Sequence, residues 1–202
     1  MELWGAADPL VLASGSKIRR TLLAAAGVAL EIAPADIDER AVESAVPSSS
    51  PAAVAALLAR AKASAVAQLH PGRLVLGADQ VLALDGRRFS KPADRADARA
   101  QLRALAGRAH ELHSAIAFVQ DKTVLFEYVG TARLTMRAFS DEFLERYLDA
   151  AGAAATESVG GYQLEGLGVQ LFDAVDGDYF TVLGLPLLAA MDFLRRHGCL
   201  PS

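Results

Sequence analysis

The run Leu74-Val75-Leu76-Gly77-Ala78-Asp79 constrains the fold of this chain more than any other segment. Its first five residues are apolar or small and leave no polar face, so a strand built from them has to be covered on both sides. That places it inside a sheet carrying helices on either face, and the first expectation is the α/β class. The run ends in a carboxylate. Burying a carboxylate is costly unless it is paired or bound to metal, and α/β proteins place ligands at the C-terminal ends of their strands. Asp79 therefore reads as a functional acid at a strand end.

The flanking segments fit this class. Leu10-Val11-Leu12-Ala13 is a second short buried strand, broken by Ser14-Gly15-Ser16 and followed by a helix from Ile18 to Ala26 that Gly27 ends. Val28 to Ile32 reads as a strand, and Ala35 to Ser50 mostly as loop. Pro51 to Leu69 is an alanine-rich helix with proline in its first turn, stopped by Pro71-Gly72. Val81 to Leu84 continues extended into an Asp85-Gly86 turn. A helix spans Asp94 to Ala106. His110 to Val119 and Val124 to Met136 pair as strands around Asp121-Lys122. A further helix opens at Ser140 and runs to about Ala150. Ala151 to Glu157 is a small-residue linker, Tyr162 to Phe180 is strand and turn, and Pro186 to Arg196 is a closing helix. βα units combined with a hairpin imply a mixed sheet.

Composition limits the remaining choices. A chain of 202 residues suits one domain or two tightly joined lobes. Even discounting its 41 alanines, it keeps enough bulky apolar side chains for a sizeable core. Twenty Lys and Arg against 24 Asp and Glu give a net charge of −4, so no broad basic field points to nucleic acid or a membrane surface. The one cysteine, Cys199, has no intrachain partner, which makes a reducing cytoplasm the expected compartment. No signal peptide or membrane-spanning run of about 18 apolar residues is evident.

Several clusters carry possible chemistry. Ser14-Gly15-Ser16-Lys17-Ile18-Arg19-Arg20 lies between a strand and a helix, where unpaired N–H groups, hydroxyls and cations can cradle a phosphate. An ordinary serine cap with solvated basic residues is the alternative reading. Asp36-Ile37-Asp38-Glu39 offers carboxylates for Mg²⁺, or is simply a polar loop. Ser90-Lys91-Pro92 holds a lysine in a turn. Gly160 to Gly168 lets backbone approach a ligand, or merely turns the chain. His110 and His113, three apart on a strand, face opposite ways and do not share a metal.

In this order and spacing, the segments LVLASGSKIRRTLL, DIDER, ARAKA, LGADQVLALDG, KP, AGRAHELHS, GYQLEG and VLGLPL resemble the Maf family of nucleoside triphosphate pyrophosphatases, over about Leu10 to Gly198. The resemblance implies one domain over residues 1–202. Its α/β fold would be of the Maf and inosine-triphosphatase type, a long mixed sheet with flanking helices and a cleft between two lobes. It also implies a cytoplasmic homodimer that hydrolyses a nucleoside triphosphate to monophosphate and pyrophosphate with Mg²⁺ or Mn²⁺.

By the same resemblance, Asp79 matches the catalytic acid and a metal ligand, and Glu39 the metal-linked glutamate. Ser14, Ser16, Arg19, Arg20, Lys62 and Lys91 match the phosphate-binding positions. Gln80 and Glu165 depart from the thymidine and uridine triphosphate branch toward the subgroup that prefers 7-methyl-GTP. Ile18 stands where that subgroup carries a large aromatic residue. These three are the expected base-specificity positions. Other readings are a dTTP- or UTP-preferring enzyme, a non-catalytic nucleotide-binding regulator of septum formation, and a phosphomonoesterase using Asp36 and Asp38.

Overall fold

The computed structural model describes residues 3–46 and 50–201. In chain order its elements are β1 (Leu10–Leu12), α1 (Lys17–Ala25), β2 (Leu30–Ile32), α2 (Glu39–Ser44), α3 (Pro51–Ala67), β3 (Leu74–Leu84), β4 (Arg87–Phe89) and α4 (Arg95–Leu105). There follow β5 (Ala109–Gln120), β6 (Thr123–Met136), α5 (Asp141–Ala151), α6 (Ala154–Glu157), β7 (Phe172–Asp176), α7 (Tyr179–Val182) and α8 (Leu187–Arg196). The strands form one seven-stranded sheet of order β2-β1-β3-β5-β6-β7, with β4 added to β3. β1 runs parallel to β2 and β3, and the other pairings are antiparallel. This is the expected mixed α/β sheet.

Helices cover both faces, as the apolar β3 run requires. On one face α3 sets Val54, Leu58 and Ala63 against Val11, Val75 and Ala117. On the other, Leu23 of α1 and Phe193 and Leu194 of α8 pack with Leu10, Leu12, Leu76 and Phe118. A further core, at the end of the sheet where β3 meets β4, joins Leu82, Leu102, Leu112, Leu134, Leu148 and Tyr162. Gly77 lets α3 come close to the sheet: a Cβ there would fall 2.1 Å from the Ala59 carbonyl oxygen.

Several local expectations need correcting. β3 does not end at Asp79 but runs on to Leu84, so the acid sits in mid-strand. Residues 35–50 contain α2, a helix with no buried residue, started by the Asp38 side chain accepting from the Ala41 N–H. The supposed linker at residues 151–157 carries the end of α5 and all of α6. Residues 162–180 hold only one strand, β7, because positive φ at Gly160 and Gly161 and a 3₁₀ turn at Leu167–Leu171 coil the chain ahead of it.

The position of Asp79 follows from unequal strand lengths. β5 pairs with β3 along its length, from Leu74 to Ala83. On the opposite edge, β1 reaches only Val75 and Leu76, and β4 begins at Leu82. The intervening residues 77–81 form a notch in the sheet, and Asp79 lies in its middle.

Candidate active site

Arg19 fills part of this notch. Its guanidinium Nη1 donates to the Ala78 carbonyl at 2.8 Å and to Ser14 Oγ at 3.0 Å, and its Nε donates to the Gly184 carbonyl at 2.8 Å. A guanidinium can do this because its donors form a fixed planar fork. The α1 helix thus supplies the bond that no neighbouring strand gives to Ala78. Burial lowers the Arg19 pKa, while Asp79 and Glu39 raise it.

Asp79 is 7% exposed. Because Gly77 seats α3 close to the sheet, Lys62 of α3 reaches Asp79 Oδ1 at 2.6 Å and Glu39 Oε1 at 2.9 Å. One ammonium therefore joins the two carboxylates expected to hold metal. Burial pushes the Asp79 pKa above the usual carboxylate value, against the opposing pull of Lys62 and Arg19. Desolvation is the larger effect for a carboxyl this far inside, so Asp79 is a stronger base than a solvated aspartate.

A cleft of about 490 Å³ opens over the notch. Ser16, Ile18, Arg19, Glu39, Lys62, Asp79, Gln80, Lys91 and Glu165, scattered along the sequence, all line it. Ser16 occupies the N-cap position of α1 without a side-chain cap bond, which leaves its hydroxyl available to a ligand.

Two expected phosphate contacts are placed differently. Ser14 lies beneath the cleft, its Oγ accepting from Arg19 Nη1 and from the Ser16 N–H. Arg20, next to the buried Arg19 on α1, is exposed and is not among the lining residues. Asp36 and Asp38 do not line the cleft either. With Asp38 committed to capping α2, the two-aspartate phosphomonoesterase reading loses its site.

Gln80 is also partly committed. Its Nε2 donates to Ser114 Oγ and to the Thr181 and Val182 carbonyls, which ties β3 to α7. Residues not singled out from the sequence complete the walls. Arg88, Phe89, Tyr162 and Val182 line the cleft; Tyr162 and Val182 belong to the GYQLEG and VLGLPL segments, whereas Arg88 and Phe89 lie in none. Buried His110 holds the Tyr162 hydroxyl through Nε2 at 2.7 Å.

The carboxylates fit a hard divalent cation. Mg²⁺ is held through one or two carboxylates and completes its shell with water and substrate phosphate. Glu39 and Asp79, drawn to one cation position by Lys62, supply that donor set. Among the described residues no group of three or more His, Cys, Asp or Glu side chains forms a metal cage, and no helix is long and apolar enough to cross a membrane.

Comparison with known proteins adds an independent line. The family model for Maf-like proteins matches residues 9–197. A nucleoside triphosphate pyrophosphatase of Rhodopseudomonas palustris (strain HaA2) is 58% identical over 200 residues, covering 99% of both chains. Proteins of the same name from Nitrobacter winogradskyi and Paramagnetospirillum magneticum are each 53% identical, covering 99% and 93% of this chain and 99% and 98% of their own. The structure of a HAM1 protein from Coxiella burnetii aligns over 63% of this chain and 72% of its own, at 19% identity and a TM-score of 0.43, too little to bear on the function.

Proposed function

The chain belongs to the Maf family, and on that footing we propose that it is a nucleoside triphosphate pyrophosphatase, an acid-anhydride hydrolase. The observation that carries this reading is the Asp79–Lys62–Glu39 cluster in the notch of β3, at the floor of the cleft. The chain's near-complete alignment with relatives of that name supports it. Water attacks the α-phosphorus, the bond to the bridging oxygen breaks, and pyrophosphate leaves. Asp79 takes the proton of that water, a role helped by its raised pKa.

Charge accumulates on the leaving phosphates. Lys62, Lys91 and Arg19 line the cleft where they can neutralise it. The Ser16 hydroxyl at the start of α1 adds a donor. Glu39 and Asp79 would hold Mg²⁺ or Mn²⁺, which supplies charge neutralisation and a more acidic water.

For the base, the reading is a guanine-type nucleotide, with 7-methyl-GTP the preferred candidate. The Glu165 carboxylate on the cleft wall can accept from the N1–H and N2–H₂ edge, and Gln80 also lines the cleft. Ile18 offers apolar contact and no aromatic stacking. Residues 1–202 acting as one domain, a homodimeric state and a cytoplasmic location complete the proposal and rest on the family resemblance.

The test is Asp79→Asn assayed for pyrophosphate release across normal and modified nucleoside triphosphates with Mg²⁺ or Mn²⁺. A loss of roughly 10²–10⁴-fold with the fold intact is expected. Undiminished turnover by the variant sinks the mechanism. Nucleotide binding without any pyrophosphate release by the wild type would favour the non-catalytic regulator. A preference for dTTP or UTP would overturn the base assignment.

A further inference from the structure

The cleft contains a cation that the reaction described above does not use. Arg88 of β4 pairs in register with Ala83 of β3, at the far side of the notch from β1, and its side chain lines the cleft. The nearest opposite charge is Glu43, with Nη1 3.4 Å from Oε2. That contact is an ion pair without hydrogen-bond geometry, and Nη1 is shut from solvent with no partner. A buried guanidinium nitrogen lacking an acceptor is a donor awaiting one, because such groups are ordinarily satisfied in folded proteins.

The placement of Glu43 indicates which acceptor suits it. Glu39 and Glu43 are four residues apart on α2, so they share a face of the helix about 6 Å apart. Glu39 holds Lys62 and Glu43 holds Arg88. Two carboxylates at this spacing occupy two cations, much as two phosphates of one chain would. The cleft is also lined by Glu157 and Glu165, which repel phosphate and suit a base edge rich in donors.

We propose that Arg88 is a further substrate-binding residue that grips the end of the phosphate chain farthest from the nucleoside, and that Glu43 keeps its place until that chain arrives. The inference rests on the pyrophosphatase reading. It assigns the polyphosphate end to β4 and makes α2 the element that substrate displaces from both cations. Guanidinium suits this role because it can present paired N–H donors to phosphate oxygens, which an ammonium cannot do.

The experiment is calorimetric titration of the full-length protein, with Mg²⁺, using inorganic pyrophosphate and GMP as separate probes. Arg88→Met is expected to weaken pyrophosphate binding tenfold or more and to leave GMP binding within twofold. Arg88→Lys should fall between, and it is the variant to read if the methionine form does not fold. Glu43→Gln should leave pyrophosphate binding unchanged or tighten it, since a competing carboxylate is gone. If Arg88→Met and Glu43→Gln weaken pyrophosphate equally, Arg88 merely pins α2 and the proposal fails. It also fails if the loss falls on GMP, or if both Arg88 variants bind pyrophosphate as the wild type does. A wild type that neither binds nor releases pyrophosphate would instead overturn the pyrophosphatase reading, so the two failures are told apart by which protein shows them.

Discussion

Lys62 Nζ lies 2.6 Å from Asp79 Oδ1, and the pair is almost closed to solvent, with side-chain exposures of 12% and 10%. Removing one partner of such a pair leaves the other buried and uncompensated. Lys62→Met should therefore raise the Asp79 pKa further and move the acid limb of the rate–pH profile to higher pH. A loss in kcat of roughly 10²–10³-fold should accompany this, as charge on the departing pyrophosphate loses a partner. An unmoved acid limb would mean that Asp79 is not the group titrating there.

Gly77→Ala tests the seating of α3. The added methyl would sit 2.1 Å from the Ala59 carbonyl oxygen and 2.7 Å from the Ala63 nitrogen, both backbone atoms. The helix has to move, at a cost of about 3 kcal/mol or more, and Lys62 moves with it. Urea denaturation should show the loss in stability, and turnover should fall even below the unfolding midpoint.

Arg19 and Arg20 are neighbours in sequence with opposite expected sensitivities. Arg19→Lys cannot reproduce three donor bonds to Ser14, Ala78 and Gly184, and should cost about 3 kcal/mol in stability together with most activity. Arg20→Ala alters an exposed side chain and should stay within about 0.5 kcal/mol of the wild type. Thermal melts and turnover of the two variants give the comparison directly.

His110 supplies a pH dependence unrelated to catalysis. Burial lowers its pKa to about 4 from 6.5. A depressed folded-state value means the unfolded chain takes up the proton first, so this contribution to stability is present above pH 6.5 and lost as pH falls toward 4. Between pH 7 and pH 5 the wild type should lose about 2 kcal/mol from this group. His110→Gln should flatten that dependence, as read from denaturant midpoints at the two values.

Glu165→Gln bears on the base. It should weaken turnover of guanine-type substrates, 7-methyl-GTP most, while pyrimidine triphosphates change little. Uniform loss across all bases would show that Glu165 shapes the cleft without reading the nucleotide.

How far the sequence speaks for itself depends on whether the physics is local. The β3 run and the cost of burying Asp79 can be read from six consecutive letters, and the Asp85-Gly86 turn carries its positive φ in its residue types. α2 is different. It has no fully buried residue, packs only Val42 against the core and is tied by ion pairs to Lys62 and Arg88, so no apolar periodicity announces it. The mid-strand position of Asp79 depends on how short β1 and β4 are, which is a property of the assembled sheet. Ser14 and Arg19 were legible as a polar cluster. Their work beneath the cleft was not, because it requires Gly184. Arg88 carries no local signal at all, since its significance comes from its contact with Glu43 of α2.

The bond from Arg19 to Gly184 links positions 165 residues apart. During synthesis the N-terminal loop, the acid of β3 and the lysine of α3 all leave the ribosome long before Gly184 does. Until then Arg19 Nε lacks its acceptor, although Nη1 can already reach Ser14 and Ala78. A nascent or truncated chain ending before that residue would carry the acid, its lysine and most of the phosphate-facing groups, yet should hydrolyse nothing.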